Sequence, residues 1–407
     1  MTANIPRPFP DLHHCLQSKA RFQVGFSSKR ASDLPYSEKC SRRLRRLSRV
    51  ICRNRYNLVM QGHATLLEAL GGETGCKRLS AEFYARVGKD PVLRPLFPGK
   101  SLRCAIEAFA AFLVQFLGGD EEQTQARWWL SLRESHARFQ IGHAERSAWF
   151  KHMRATLEAA PLDEETRSAF RQFFLCSSAY VVGEEAAGPE HQELATRWAE
   201  QRVLENAIGA IAAGHDHQAL AVAEQFATRP SVFVGLLARM VQSGRGELVR
   251  SVIDAVESEP SLATRRFSGR TLLHFASGAG CLEVVAFLLQ LGTDPNIRDS
   301  GGHTPLYRVA NECGLERGPK LVLALVRAGG DVNACGGVTR STPLHMAARR
   351  GYVGIANTLL DCGAEMEAKD SKGDTPLQRA INCHREMVAR LLVDRGANTT
   401  ARPKRFR

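Results

Sequence analysis

Apolar residues in the first half of the chain recur at helical spacing. Between residues 101 and 117 they fall at steps of four and three, which places them on one face of a helix: Leu102, Ile106, Phe109, Leu113 and Phe116. Three further stretches, 74–87, 144–159 and 163–182, have the same character, and Ala160-Pro161 separates the last two. Because no strand-like alternation appears, the sequence predicts an all-α domain over residues 60–185.

After residue 185 the helical pattern continues and then becomes a repeat. Residues 186–234 are predicted to form a helical connector. Four copies of one motif follow, with spacings of 33, 38 and 33 residues and an insertion around 314–319, beginning at Thr271, Thr304, Thr342 and Thr375. Each copy has a second apolar helix and closes with a glycine and a polar turn. One helix pair cannot bury its apolar face alone, so the copies must stack.

The motif Thr-Pro-Leu-His-x-Ala at this period resembles ankyrin repeats, and the resemblance covers residues 267–401. It implies a solenoid that offers a concave surface to a protein partner. We expect the turns 298–301, 335–338 and 369–372 to carry that surface, because core packing does not dictate their residues. Residues 235–266 are predicted to be a degenerate repeat that caps the stack, and residues 402–407 a basic tail.

The composition narrows the cellular setting. Of the 407 residues, 44% are hydrophobic, and no run of about 18 apolar residues occurs, which favours a folded protein without a membrane span. The 11 cysteines are scattered and include no Cys-x-x-Cys pair. We therefore expect reduced thiols, no structural zinc site and a cytoplasmic location.

Positive charge is concentrated near the N-terminus. The formal net charge is +13, and residues 1–59, with 13 Lys+Arg and 3 Asp+Glu, contribute +10 of it. Such an arm can bind nucleic acid or acidic lipid, but we interpret it as a disordered, solvated extension. The turns of the repeats are mixed in charge, which favours a protein partner over nucleic acid there.

One cluster in the helical domain suggests chemistry. His136 lies among segments rich in aromatic residues, and a single histidine in an apolar, aromatic pocket can be an axial ligand of haem iron. A lone histidine near aromatic residues is more often a packing or surface residue, so composition alone leaves both interpretations open.

The order of short segments around this cluster resembles the truncated haemoglobins. The segments that carry the resemblance are Phe83-Tyr84-Ala85-Arg86-Val87, Leu96-Phe97-Pro98, Phe112 to Gly119, His136-Ala137-Arg138-Phe139 and Glu145-Arg146-Ser147-Ala148-Trp149. The last two are characteristic of the second group of that family. The resemblance implies a two-on-two helical sandwich that binds haem b.

Carried over by motif, the resemblance assigns His136 as the proximal iron ligand. It places Tyr84 on the distal helix and Trp149 on the helix that closes the pocket. The O–H of Tyr84 and the indole N–H of Trp149 can donate hydrogen bonds to a diatomic ligand.

The resemblance also assigns residues without donors to the pocket. Phe97 is the ring that packs on the porphyrin, at a position that is often Tyr in this group. Ala105 and Phe109 offer no polar group from the distal face of the helix 101–117. Arg138 lies either near a haem propionate or in solvent, and the loop 120–129, with Trp128-Trp129, departs from the family pattern.

These features predict a haem-iron protein that binds O2 or NO in a sensing or redox role, with an ankyrin array for protein interaction. Two alternatives stay open. One is a haem enzyme, an NO dioxygenase or peroxidase-like protein, which would need an external reductant because the sequence has no dinucleotide fingerprint. The other is an interaction scaffold whose globin domain has lost haem. The sequence shows nothing that links the two halves, so we expect a tether with weak or no coupling.

Overall fold

The computed structural model describes residues 65–97, 99, 101–119, 131–227, 229–314 and 316–399. Regular structure in these ranges is helical, apart from two isolated β-bridges, Phe267–Arg270 and Gly336–Ser341. The predicted basic extension 1–59, the loop 120–129 and the tail 402–407 lie outside the described residues. None of the described helices is both long enough and apolar enough to cross a membrane.

The first domain is built from six described helices: α1 Leu66–Ala69, α2 Gly72–Val87, α3 Arg103–Phe116, α4 Leu132–His136, α5 His143–Ala159 and α6 Glu164–Val181. The four predicted helices are present close to their predicted ends. Local signals explain where they begin; Asp163, for example, caps α6 by accepting a hydrogen bond from Thr166 N at 2.8 Å.

These helices pack in pairs. α2 packs on α3, α5 packs on α6, and α2 also contacts α5, which confirms the predicted two-on-two arrangement. The core between the pairs is aromatic, and its fully buried side chains include Phe83, Phe170, Phe173 and Phe174. Offset and tilted ring contacts of this kind add to the stabilisation that burial of apolar area provides.

The connector begins with the long helix α7 Gln192–Ala213, followed by the short α8 Asp216–Ala223. In the first half of α7, Leu194 and Trp198 are buried in the core of the first domain, where the Trp198 ring lies 5.9 Å from that of Phe173. The second half is buried in the core of the repeats through Leu204, Ala207, Ile208 and Ile211. One helix therefore contributes buried residues to two cores, whereas a flexible linker would contribute to neither.

The repeats follow as pairs of helices. They are α9 Pro230–Ser243 and α10 Gly246–Ser258, α11 Leu272–Ala279 and α12 Leu282–Gln290, α13 Pro305–Arg308 and α14 Gly318–Arg327, α15 Pro343–Arg350 and α16 Val353–Asp361, and α17 Pro376–Asn382 and α18 Glu386–Asp394. The first pair packs on the second, as expected of a capping repeat, but α9 begins five residues before the predicted boundary at 235. In the third pair, α13 continues as a π-helix over Val309–Cys313 before the predicted insertion.

The motif residues of the repeats have local hydrogen-bonding roles. Thr342 caps α15 by accepting from His345 N at 3.4 Å, while Thr342 N donates back to His345 Nδ1 at 3.2 Å. His345 Nε2 then donates to the Asp374 carbonyl of the next repeat at 3.0 Å. His274 makes the equivalent bond to the His303 carbonyl at 3.1 Å. The signature histidine thus closes its own helix and joins neighbouring repeats.

The turns between repeats are only partly the exposed surface that the sequence predicts. Val338 is 84% exposed, but Asp299 and Asp370 are each 6% exposed, so the expectation is wrong for these two carboxylates. Asp299 accepts a hydrogen bond from Arg308 Nε at 2.9 Å, and Asp370 accepts one from Arg379 Nε at 2.7 Å. Both carboxylates also accept backbone N–H bonds from their own turns, so they hold the turn together.

Candidate functional site

His136 is the last residue of the short helix α4. Ser131 caps this helix by accepting a hydrogen bond from Glu134 N at 3.0 Å. The Nδ1 atom of His136 donates to the Leu132 carbonyl oxygen at 2.7 Å, and the Ser135 hydroxyl lies 2.9 Å from the same nitrogen. A carbonyl oxygen only accepts, so Nδ1 carries the proton and the lone pair is on Nε2. This is the tautomer that a metal-ligating histidine needs.

The predicted distal residues lie on α2 and α5. The ring of Tyr84 contacts Phe97 at 5.7 Å and Phe109 at 6.4 Å, measured between centroids. The ring of Trp149 lies 5.2 Å from Phe83, which in turn lies 5.1 Å from Tyr84. The structure thus brings both predicted donors against one aromatic cluster. Neither the Tyr84 hydroxyl nor the Trp149 indole N–H has a hydrogen-bond partner among the described residues.

A chain of ring contacts joins this cluster to α4, the helix that carries His136. Phe97 contacts Phe139 at 5.7 Å, and the Phe139 ring lies 6.5 Å from the His136 imidazole. The predicted pocket residues Tyr84, Phe97, Phe109, His136 and Trp149 are all half-buried, whereas the neighbouring core phenylalanines are almost fully buried. Side chains that line a concave site keep accessible surface in this way.

The remaining predicted residues lie at the edge of the same region. Ala105 is half-buried on α3, one turn before Phe109, and adds no polar group. Arg138 is exposed and its guanidinium stacks 4.6 Å from the centroid of the Phe139 ring.

The electrostatics of the site favour neutral side chains. Burial lowers the pKa of His136, although the Leu132 carbonyl and Glu205 act in the opposite direction. Burial also raises the pKa of the Tyr84 phenol, with Arg138 partly offsetting it. At neutral pH the imidazole is therefore able to ligate and the phenol retains a proton to donate.

These residues fit a haem on the structure's own terms. They supply one imidazole with its proton on Nδ1, an apolar aromatic wall, and two donor groups that have no hydrogen-bond partner among the described residues. No cluster of three or more His, Cys, Asp or Glu residues that could hold a metal ion exists in the described part of the chain. A single-histidine site in an apolar setting is the ligation that haem iron uses.

Sequence reasoning missed the residues that fix the proximal helix. Ser131 with Glu134 three residues later is a helix-start pattern, and this signal was readable from the sequence. Glu205 is different: it lies on α7, and its carboxylate accepts from Ser131 Oγ and from Leu132 N, each at 2.5 Å. No local pattern indicates a contact across more than 70 residues.

Comparison with known families divides the chain in the same way as the fold. The family described as bacterial-like globin matches residues 65–176. Families described as ankyrin repeats match residues 257–307 and 309–403.

Individual relatives are similar to the chain over about a third of its length. Human ankyrin repeat and SOCS box protein 16 is 31% identical over 144 residues, which is 33% of this chain and 31% of that protein. The mouse B-cell lymphoma 3 protein homolog is 33% identical over 134 residues, 32% of this chain and 29% of that protein. Human SH3 and multiple ankyrin repeat domains protein 2 is 34% identical over 134 residues, 33% of this chain and 7% of that protein.

The chain spans less than a third of the length of these relatives, so they indicate a shared repeat and not a shared activity. Each family match lies within the stretch of chain that builds one of the two cores, and each core also takes in residues of α7 outside the matched ranges. The matches bear out the predicted combination of a truncated globin with an ankyrin array. The chain therefore contains a bacterial-like globin domain over residues 65–176, followed by ankyrin repeats over residues 257–403.

Proposed function

We propose that the globin domain binds haem b through His136 and uses it to bind O2 or NO, and that the ankyrin repeats bind a protein partner. The observation that carries the proposal is the His136 imidazole. Its Nδ1 proton is committed to the Leu132 carbonyl, so Nε2 is left as a ligand. Bound haem would supply an iron coordination position for a diatomic ligand.

The distal residues would select and retain that ligand. Tyr84 and Trp149 keep donor groups that no described residue accepts, on a wall that is otherwise apolar. A diatomic ligand whose outer atom carries partial negative charge would accept these N–H and O–H groups. Retention of the ligand suits a sensing or redox role better than bulk delivery. The apolar side chains of Phe97, Ala105 and Phe109 would exclude water from the same space.

The repeats would supply the interaction surface. Val338 is a turn residue that is 84% exposed and lies outside the core. Asp299 and Asp370 instead hold the turns, and the exposed Arg298 joins two of them by donating to the Gly302 and Cys335 carbonyls. Protein partners are the ligands that ankyrin-type solenoids bind through such surfaces. The cysteines in the described residues are all free, which supports a cytoplasmic location.

The proposal is tested by the absorption spectrum of the full chain purified from haem-supplied cells. We expect a Soret band that shifts on reduction and again on addition of O2 or NO. His136→Ala should abolish or greatly reduce haem content, because Nε2 is the proposed ligand. His143→Ala is the matched control, since His143 is on the next helix with its side chain 84% exposed.

Two results would contradict the proposal. A wild-type chain that folds and shows no Soret band would favour the scaffold alternative, with the repeats alone carrying function. Equal haem content and equal ferrous spectra in wild type and His136→Ala would mean that another group ligates the iron.

A further inference from the structure

The helix that carries His136 is held from outside the globin domain. The Glu205 carboxylate on α7 accepts hydrogen bonds from Ser131 Oγ and Leu132 N at 2.5 Å each, and from Gln201 Nε2 at 2.9 Å. Glu205 is 6% exposed and Gln201 is 5% exposed. Charge-assisted hydrogen bonds in a buried setting are stronger and more directional than those at a surface.

The second contact comes from the repeat side. Arg239 on α9 donates from Nη2 to Glu134 Oε2 at 2.8 Å, and both side chains are more than half-buried. Glu134 is two residues from His136 on α4, and α9 packs on α11 of the first matched repeat. Two charged side chains thus reach the same five-residue helix, one from the connector and one from the repeat stack.

Two consecutive hydrogen bonds connect the Glu205 carboxylate to the His136 imidazole. Glu205 fixes Leu132 through its N–H, and Leu132 in turn accepts the Nδ1 proton of His136 through its carbonyl. Glu205 also holds Ser131, whose hydroxyl caps the helix by accepting from Glu134 N. A helix of five residues is too short to be stable alone, so these contacts determine where it lies.

We propose that Glu205 and Arg239 are positioning residues for His136, and that the proximal side of the haem pocket is thereby built in part by the connector and the repeat stack. This inference rests on the proposed function. The repeat array would then contribute to the structure of the ligand site and would not be only an attached interaction module. Residues that orient a metal ligand tune the strength of the metal–ligand bond, although they do not touch the metal.

The test uses Glu205→Gln and Arg239→Gln in the full chain, with Arg239→Lys as the conservative variant. Glu200→Gln is the matched control, because Glu200 is also on α7 and pairs with Arg229 at 2.8 Å without touching α4. Two quantities are measured: the rate of haem transfer to an acceptor apoglobin, and the iron–histidine stretching band of the ferrous, ligand-free protein by resonance Raman spectroscopy.

We expect haem loss to be at least tenfold faster in Glu205→Gln and Arg239→Gln, equivalent to ~1.4 kcal/mol, with a shifted or broadened iron–histidine band. Arg239→Lys should restore most of the wild-type behaviour, and Glu200→Gln should match wild type. A band and a transfer rate unchanged in both Gln variants would overturn this inference and leave the proposed function intact. The same loss in Glu200→Gln would also overturn it, because the effect would then be general destabilisation. A wild-type chain without a Soret band would instead overturn the proposed function and this inference together.

Discussion

The repeat stack and the globin domain each bury carboxylates, but they pair them over different distances along the chain. In the stack, Asp299 bonds to Arg308 nine residues later, and Asp370 bonds to Arg379 at the same spacing. At the proximal helix, Glu205 bonds to Ser131, 74 residues earlier. The first kind of contact closes a unit on itself, whereas the second ties two units together.

This difference in spacing determines how far the effect of a substitution should extend through the molecule. A repeat contacts only its neighbours, so losing a contact within one repeat lowers the stability of the stack and leaves distant sites unchanged. A contact that crosses between domains has no such limit. Substitutions in one region, with measurements on both regions, therefore show how far each effect extends.

The largest effect is expected from breaking the ion pair inside the stack. Asp299→Ala leaves Arg308 with Glu312, 2.7 Å away, as its remaining carboxylate partner among the described residues. It also removes the acceptor of two backbone N–H groups of the turn. Because the buried Arg308 loses one of its two carboxylate partners, we expect a loss of about 3 kcal/mol in the free energy of unfolding of the stack. Denaturant titration followed by circular dichroism measures it.

The control is Asp331→Ala, because Asp331 is an exposed carboxylate of the same stack that accepts from Asn333 N at 2.8 Å in the turn after α14. That variant should lose less than about 1 kcal/mol. The haem spectrum should be unchanged in both variants. A changed iron–histidine band in Asp299→Ala would show that damage to the stack reaches the globin domain after all.

Removing the donor groups of Tyr84 and Trp149 is expected to change ligand dissociation from the globin domain and to leave the repeat stack unaffected. Tyr84→Phe and Trp149→Phe each remove one donor and keep an aromatic ring at the position. A hydrogen bond to a partly charged acceptor contributes ~1.5–3 kcal/mol, so each variant should raise the O2 dissociation rate by roughly ten- to a hundredfold. Stopped-flow displacement of O2 by CO measures this rate. If neither variant alters it, the two donors do not reach the ligand.

The effect that appears only at acid pH is expected from buried histidines of the stack. His274 is fully buried, and burial lowers its pKa from 6.5 to about 4; burial lowers the pKa of His345 as well. A histidine that is neutral in the folded state stabilises it above the unfolded pKa, and this contribution is lost as the pH falls from 6.5 towards 4. For His274 the loss at pH 5 is about 2 kcal/mol.

Glutamine offers a matched replacement for these histidines, because Gln378 occupies the same place in the last repeat and accepts from Thr375 N at 2.9 Å. The double variant His274→Gln/His345→Gln should therefore flatten the pH dependence of stack unfolding between pH 7 and 5. An equally steep dependence in wild type and double variant would assign the acid sensitivity to other groups.

The sequence predicted the parts of the molecule that depend on local contacts. The helix ends of the globin domain and the repeat motif at Thr271, Thr304, Thr342 and Thr375 are set by caps, prolines and periodicity, all within a few residues. The burial of Asp299 and Asp370 was missed, although an arginine nine residues later accompanies both.

No local sequence pattern indicates the contacts that Glu205 and Arg239 make with α4. Glu205 lies in a helix whose neighbouring residues say nothing of Ser131, and Arg239 lies 105 residues from Glu134. The sequence also predicted a domain over residues 60–185 followed by a helical connector over 186–234. No local pattern indicates that α7 of this connector completes the core of one domain with Trp198 and begins the core of the other with Leu204.

Because α7 is shared, the globin domain is not complete when its own family segment has been synthesised. A nascent chain that has emerged only to residue 176 lacks Trp198, which packs on Phe173, and it lacks both charged side chains that hold the helix of His136. Under the proposed function, stable capture of haem during translation would wait until residue 239 has left the ribosome. The order of synthesis would then make the start of the repeat stack a checkpoint for haem loading, and a gene truncated after the globin segment would yield a domain with an open core.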